Sequence, residues 1–212
     1  MQFLKILRHS RSFAEAIEFA RNGKDVCLIS NNCLATFFYK DLGLPYGSPT
    51  INLQLHPRDF IKFCRYFDDY IRLPIENNPK DCIEEFKSLG FHGNSINFPV
   101  GRLGSLNVFL QHYESIDDAR AAWLRRVLRI NREKLFFVFV ADDFIDASLL
   151  NEFRNLEVKN KLLITNSDKR GIFPFSFPIF NGRKAWFSRK KPFGKRFFWR
   201  YDFIGWINKS IH

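Results

Sequence analysis

Two short runs in this 212-residue chain are apolar throughout instead of at every second position, residues 26–29 and 135–140, and residues 161–165 read as a further strand. A strand with one wet face alternates apolar and polar side chains, whereas a strand covered on both faces has no reason to. Both apolar runs lead into segments with helical spacing, residues 34–42 and 147–156. Strands covered on both sides and alternating with helices confine the chain to the α/β layer folds, with a mainly parallel sheet.

Other segments fill in the expected architecture. Residues 10–22 read as an amphipathic helix with Phe13, Ile17 and Ala20 on one face and Gly23 as its stop. Gly43 ends the helix over 34–42, and residues 50–55 read as a second strand. Pro57 and Asp59 suit the first turn of a helix running from His56 to about Ile71. A short helix is expected over 80–89, a turn over 101–104 and a strand over 106–113. Ser115 caps a helix that buries Ile116, Ala119, Trp123, Val127 and Ile130, spaced at three and four residues. The expectation is one α/β domain over residues 1–212: a mixed, mainly parallel sheet flanked by helices, with an antiparallel segment near 98–113. Residues 1–24 form a helical N-terminal region. An aromatic basic stretch, 183–212, packs on or beside the domain.

Charge is unevenly placed. The net charge is +11, yet residues 25–182 carry nineteen Lys and Arg against nineteen Asp and Glu, while residues 183–212 carry nine against one. A neutral body argues against a coat protein for nucleic acid, whose basic charge would be spread widely. Four cysteines (Cys27, Cys33, Cys64, Cys82) form no CxxC pair and match neither a zinc site nor a disulfide framework. The apolar run at the start is too short for a signal-peptide core, and no run approaches the roughly twenty residues of a membrane span. The expected setting is the reducing cytosol, with peripheral placement at the inner face of the cytoplasmic membrane left open.

Ligands of open α/β sheets collect beyond the carboxyl ends of strands. Four such ends carry polar clusters: residues 30–33, His56, Asp142-Asp143 and residues 166–168. Asn31 and Asn32 offer amide groups beside a helix start, as an anion site or as helix caps. Cys33 at the same helix start is placed where thiol pKa values fall, but it has no defined partner. His56 and His112 border strands, and histidine as a residue type suits the role of a general base. Asp142 belongs to an acidic pair that fits either a helix cap or a site for a divalent metal and a nucleotide-sugar diphosphate. Arg125, Arg129 and Arg132 form a stripe on the Trp123 helix, suited to phosphate or to the negative helix end. No P-loop, dinucleotide, zincin or hydrolase-elbow motif occurs.

The motifs at 30–33 (Ser-Asn-Asn-Cys), 39–44 (Tyr-Lys-Asp-Leu-Gly-Leu), Pro57-x-Asp59-Phe60-Ile61-Lys62-Phe63, and Phe98-Pro99-Val100-Gly101-x-Leu103-Gly104 come in order along the chain. With His112-Tyr113, Trp123-x-Arg125-Arg126-x-x-Arg129-Ile130-Asn131 and residues 202–208, the set resembles the bacterial family DUF1919. Members are often labelled exopolysaccharide biosynthesis proteins. The resemblance implies an α/β fold and a role in surface polysaccharide assembly, without supplying a reaction. The leading expectation is a glycosyltransferase using a nucleotide sugar; acyl or other group transfer, or a membrane-surface scaffold, stays open. His56, His112 and Asp142 are the catalytic candidates, and Asn31, Asn32, Arg102, Arg125 and Arg129 the substrate-binding ones. Lys190, Lys191, Arg196, Trp199 and Trp206 are candidates for contact with an anionic membrane or with a lipid-linked or saccharide acceptor. No protein metal site is assigned and no cofactor is certain, a divalent metal being left open; nucleic acid is the least favoured partner.

Overall fold

The computed structural model describes residues 25–78, 82–89, 96–141, 145–165, 176–178 and 203–211. In chain order, β1 (Cys27–Ser30) leads to α1 (Leu34–Leu42), β2 (Gln54–Leu55), α2 (Pro57–Arg65) and α3 (Phe67–Tyr70). Then come β3 (Glu76–Asn77), α4 (Ile83–Ser88), β4 (Val100–Leu103), β5 (Leu106–Phe109) and α5 (Ile116–Val127). The last elements are β6 (Leu135–Ala141), α6 (Ala147–Arg154), β7 (Lys161–Thr165), β8 (Ser176–Pro178) and α7 (Phe203–Ile211).

β1, β6, β7 and β8 lie side by side in that order, every neighbouring pair parallel. Both faces are covered, as the unbroken apolar runs require. Cys27, Ile29, Phe137, Phe139 and Leu163 point to one face, where they join Phe60 and Phe63 of α2, Trp123 of α5 and Phe153 of α6. Leu28, Phe136, Val138, Leu162 and Ile164 point to the other, against Phe38 and Tyr39 of α1 and Phe203 and Ile207 of α7. Phe60, Phe139 and Phe153 form a ring cluster with centroids 5.1–6.4 Å apart. Each fully buried ring of this kind stabilises the fold by about 1.5–3 kcal/mol. Slipping any strand by one residue would exchange the two faces, so this double set of contacts pins the register.

β1 is an edge strand, and side-chain hydroxyls cover its open side. The Tyr39 hydroxyl donates to Val26 O at 2.5 Å and accepts from Leu28 N at 3.0 Å. Thr50 Oγ1 accepts from Ser30 N at 3.2 Å and is itself held near Ser48 Oγ at 3.1 Å. This accounts for the shortness of β2. The sequence suggests a strand over 50–55, but Thr50 reaches the sheet through its side chain and Asn52 takes a left-handed φ of 64°. Only Gln54 and Leu55 remain to pair.

The second sheet is antiparallel, in the order β2-β5-β4-β3. Its central hairpin corrects the expected turn at 101–104: pairing continues from Val100 to Leu103, and the reversal is at Gly104 and Ser105. Gly104 has a φ of 60°, open to glycine at little cost. Gly101 stands inside β4 for a different reason, since a Cβ there would lie 2.6 Å from Ile75 Cγ2. The expected helix from His56 to Ile71 is likewise split: Tyr66, with φ −116° and ψ 39°, separates α2 from α3. The two sheets meet where Leu55 N donates to Asn31 O at 2.9 Å. The helix expected over 10–22 lies outside the described residues. Among the described residues no helix is long and apolar enough to cross a membrane.

Candidate functional site

α2 begins at the junction between the sheets, because Leu55 is bonded to the turn that leaves β1. Pro57 fixes the backbone of its first turn, and His56 Nδ1 accepts from Arg58 N at 3.4 Å. Asp59 is three residues on, hence on the same side of the helix as His56. Across from it stands Asn107 of β5, which makes three contacts with polar groups. Its backbone N–H donates to Asp59 Oδ2 at 3.0 Å, and its Nδ2 donates to Glu85 Oε2 of α4 at 2.5 Å. Its Oδ1 accepts from Asn78 Nδ2 at 2.9 Å. Arg102 pairs with Asn107 in the β4–β5 register, and so shares its side of the hairpin, where it forms an exposed 2.9 Å ion pair with Glu76.

The electrostatics of this half-buried cluster push two groups towards neutrality. Burial raises the Asp59 carboxyl to about 6, the Asn107 N–H works against it, Glu85 adds to the rise and Lys62 opposes it. Burial lowers the His56 pKa, Glu85 opposes that, and Arg58 reinforces it. With Nδ1 accepting from Arg58, the neutral imidazole carries its proton on Nε2 and is a hydrogen-bond donor. Asp59, ionised at neutral pH yet more basic than an ordinary carboxylate, is the group placed to take a proton. Among the described residues, no three His, Cys, Asp or Glu groups are gathered closely enough to hold a metal ion.

The other sequence candidates fall elsewhere. Asn31 is built into the sheet: its Nδ2 donates to Val140 O at 3.0 Å and its Oδ1 accepts from Val140 N at 2.9 Å, a side chain acting as the next residue of a ladder. Asn32 Oδ1 accepts from Leu34 N at 3.1 Å at the start of α1. Burial pushes the Cys33 thiol up to about 11, opposite to the shift a helix start favours, so it is not a reactive thiolate. His112 is exposed beyond the end of β5, Arg125 lies on the exposed side of α5, and Arg129 is exposed two residues past the end of that helix. Among the described residues, no hydrogen bond or ion pair joins these three to the Asp59 cluster. Trp206 packs inward, its ring centroid 5.2 Å from that of Phe136 and 5.4 Å from that of Phe203. Asp142, residues 166–168, Lys190, Lys191, Arg196 and Trp199 lie outside the described residues. A groove of about 340 Å³, lined by Cys64, Asp68, Arg132 and Lys159 among others, sits instead at the amino end of β6.

A family model described as a domain of unknown function (DUF1919) matches residues 5–208. The chain belongs to the DUF1919 family. This DUF1919 protein is also similar to an uncharacterized protein of Haemophilus influenzae strain Rd, 28% identical over 187 residues, covering 86% of this chain and 84% of that one. The family match includes every residue of the cluster. The sequence reading named His56 and Arg102 as candidates and took Asp59 for a helix-end acid, but it passed over Glu85 and Asn107. Asn107 sits 48 residues from Asp59 and 22 from Glu85, and no local pattern announces such pairings.

Proposed function

We propose that this DUF1919 protein is a transferase of bacterial surface polysaccharide assembly that moves an activated group, foremost a glycosyl group from a nucleotide sugar, onto an acceptor hydroxyl. The observation that carries the reading is the Asp59 carboxylate, with its proton affinity raised to about 6 and its Oδ2 fixed by the Asn107 N–H beside a neutral His56. In the proposed step Asp59 takes the acceptor proton as the acceptor oxygen bonds to the donor's anomeric carbon. The bond from that carbon to the diphosphate breaks, and the diphosphate leaves with the electron pair. His56 Nε2–H orients the acceptor oxygen, and Arg102 supplies positive charge at the rim.

The test is calorimetric titration with a panel of nucleotide sugars, with and without manganese, followed by turnover with saccharide acceptors. Asp59→Asn should lower kcat by roughly 10²–10⁴-fold, the range removed with a general base. The rate of the parent protein should fall as the pH drops through about 6, as Asp59 takes up its proton. A panel that gives neither heat nor turnover defeats the nucleotide-sugar version; full activity in Asp59→Asn defeats the assignment of the base.

A further inference from the structure

Arg126 is charged and only 6% exposed, and among the described residues it has no carboxylate partner. A guanidinium has five N–H donors. Arg126 spends its Nη1 on two neutral acceptors, Ile51 O at 3.2 Å and the Tyr113 hydroxyl at 2.5 Å. Its Nη2 and Nε meet no acceptor among the described residues. Its carbon Cζ stands 5.4 Å from the Tyr46 ring centroid, a cation–π contact that lowers the cost of burial without satisfying an N–H.

Two further points argue against a purely structural strut. The Tyr113 hydroxyl itself donates to Ile51 O at 3.0 Å, so the tie between these segments exists without Arg126. The surroundings add positive charge instead of cancelling it: Arg129, one turn on, reaches Tyr46 O at 3.5 Å with its own Nη1. Burying a charge is costly unless it is paired. The negative end of α5 amounts to about half an elementary charge and accepts no bond from the free donors.

We infer that Arg126, roofed by Tyr46 and flanked by Arg129, is the floor of an anion site for a phosphoryl group, whose oxygens would take the free Nη2–H and Nε–H pair. The fork of two parallel donors matches two oxygens of one phosphoryl group. Five residues link Ile51, which anchors this arginine, to His56, which caps the separation of the two anchors at about 18 Å. The site rests on the proposed transferase reading only for the identity of the ligand, the diphosphate of a donor; the unpaired arginine stands without it.

The test is titration of the full chain with inorganic pyrophosphate and with uridine diphosphate, to separate a free diphosphate from a nucleotide. The proteins are the parent, Arg126→Met, Arg126→Lys, and Arg65→Met as a control of equal charge change. The parent should bind at millimolar ligand or below, Arg126→Met should bind roughly ten- to hundredfold more weakly, Arg126→Lys should fall between, and Arg65→Met should match the parent. In parallel, the side-chain Nε–H resonance of one buried arginine in the parent should shift as pyrophosphate is added, a readout that needs no variant to fold. Failure of the parent to bind either ligand, an unmoved arginine resonance, or undiminished binding by Arg126→Met overturns the site. Because the readout is binding, a failure here leaves the Asp59 chemistry to be judged separately by its rate and pH dependence.

Discussion

Asp59→Asn is the substitution that most sharply separates a working acid from a structural one. Asparagine copies the shape of a protonated aspartate and can still accept from Asn107 N–H through its side-chain oxygen. What it removes is the ability to ionise. Raising a carboxyl from its ordinary 3.8 to about 6 corresponds to roughly 3 kcal/mol at about 1.4 kcal/mol per pH unit. Asp59 is half-buried, and solvent screening removes about half of this, leaving ~1–2 kcal/mol. The sign follows from proton binding. Below about pH 4 the carboxyl is protonated in both folded and unfolded chains, and parent and variant differ little. Between about 4 and 6 the unfolded chain releases its proton first, so the folded parent loses stability; above about 6 the loss is complete. The variant should therefore be more stable than the parent by ~1–2 kcal/mol at pH 7 and equal to it near pH 4, while its activity is lost. Urea midpoints across this pH range measure the difference directly. A variant less stable than its parent at pH 7, or a difference that ignores pH, would refute the reasoning: the first means that the carboxylate is held by favourable contacts, the second that folding leaves its pKa unchanged.

Two further substitutions test the frame around this site. Asn31→Ala leaves the buried N–H and C=O of Val140 without partners, and should cost roughly 2–5 kcal/mol in urea unfolding; a loss under 1 kcal/mol would mean that water replaces the amide. Gly101→Ala drives a Cβ to 2.6 Å from Ile75 Cγ2 inside the β4–β3 pair and should cost about 1–3 kcal/mol, read as a lowered thermal midpoint.

The parallel sheet was readable from the sequence because a strand buried on both faces has an apolar side chain at nearly every position. Residues 135–140 had no other plausible home. Helix ends were readable for the same local reason: Gly43 adopts a φ of 66°, and Ser115 Oγ accepts from Asp118 N at 3.0 Å. The hairpin was misread at Gly101, where a glycine that makes room for Ile75 looks the same as a glycine that makes a turn. In the site, His56 announced itself by its place after a strand, but Asn107 gathers Asp59, Glu85 and Asn78 only through tertiary contacts. Arg126 did leave a local trace. It lies seven residues after Ala119, four after Ala122 and three after Trp123, on the buried stripe of α5. The phosphate reading attached instead to Arg125 and Arg129, whose spacing places them on the solvent side.

The hydroxyls that cover β1 also bear on how this protein can meet other molecules. A bare edge strand invites an extended peptide, or a second copy of the same chain, to lengthen the sheet by one more strand. Here the outward N–H groups of Leu28 and Ser30 are already bonded to Tyr39 and Thr50, so an incoming strand would have to displace two buried hydroxyls before gaining its first ladder bond. The parallel sheet is thus terminated chemically at β1, and recruitment by strand addition is shut off on the flank that adjoins the Asn31 turn. Whatever docks near that turn must be recognised by side chains, not by a zipper of main-chain bonds.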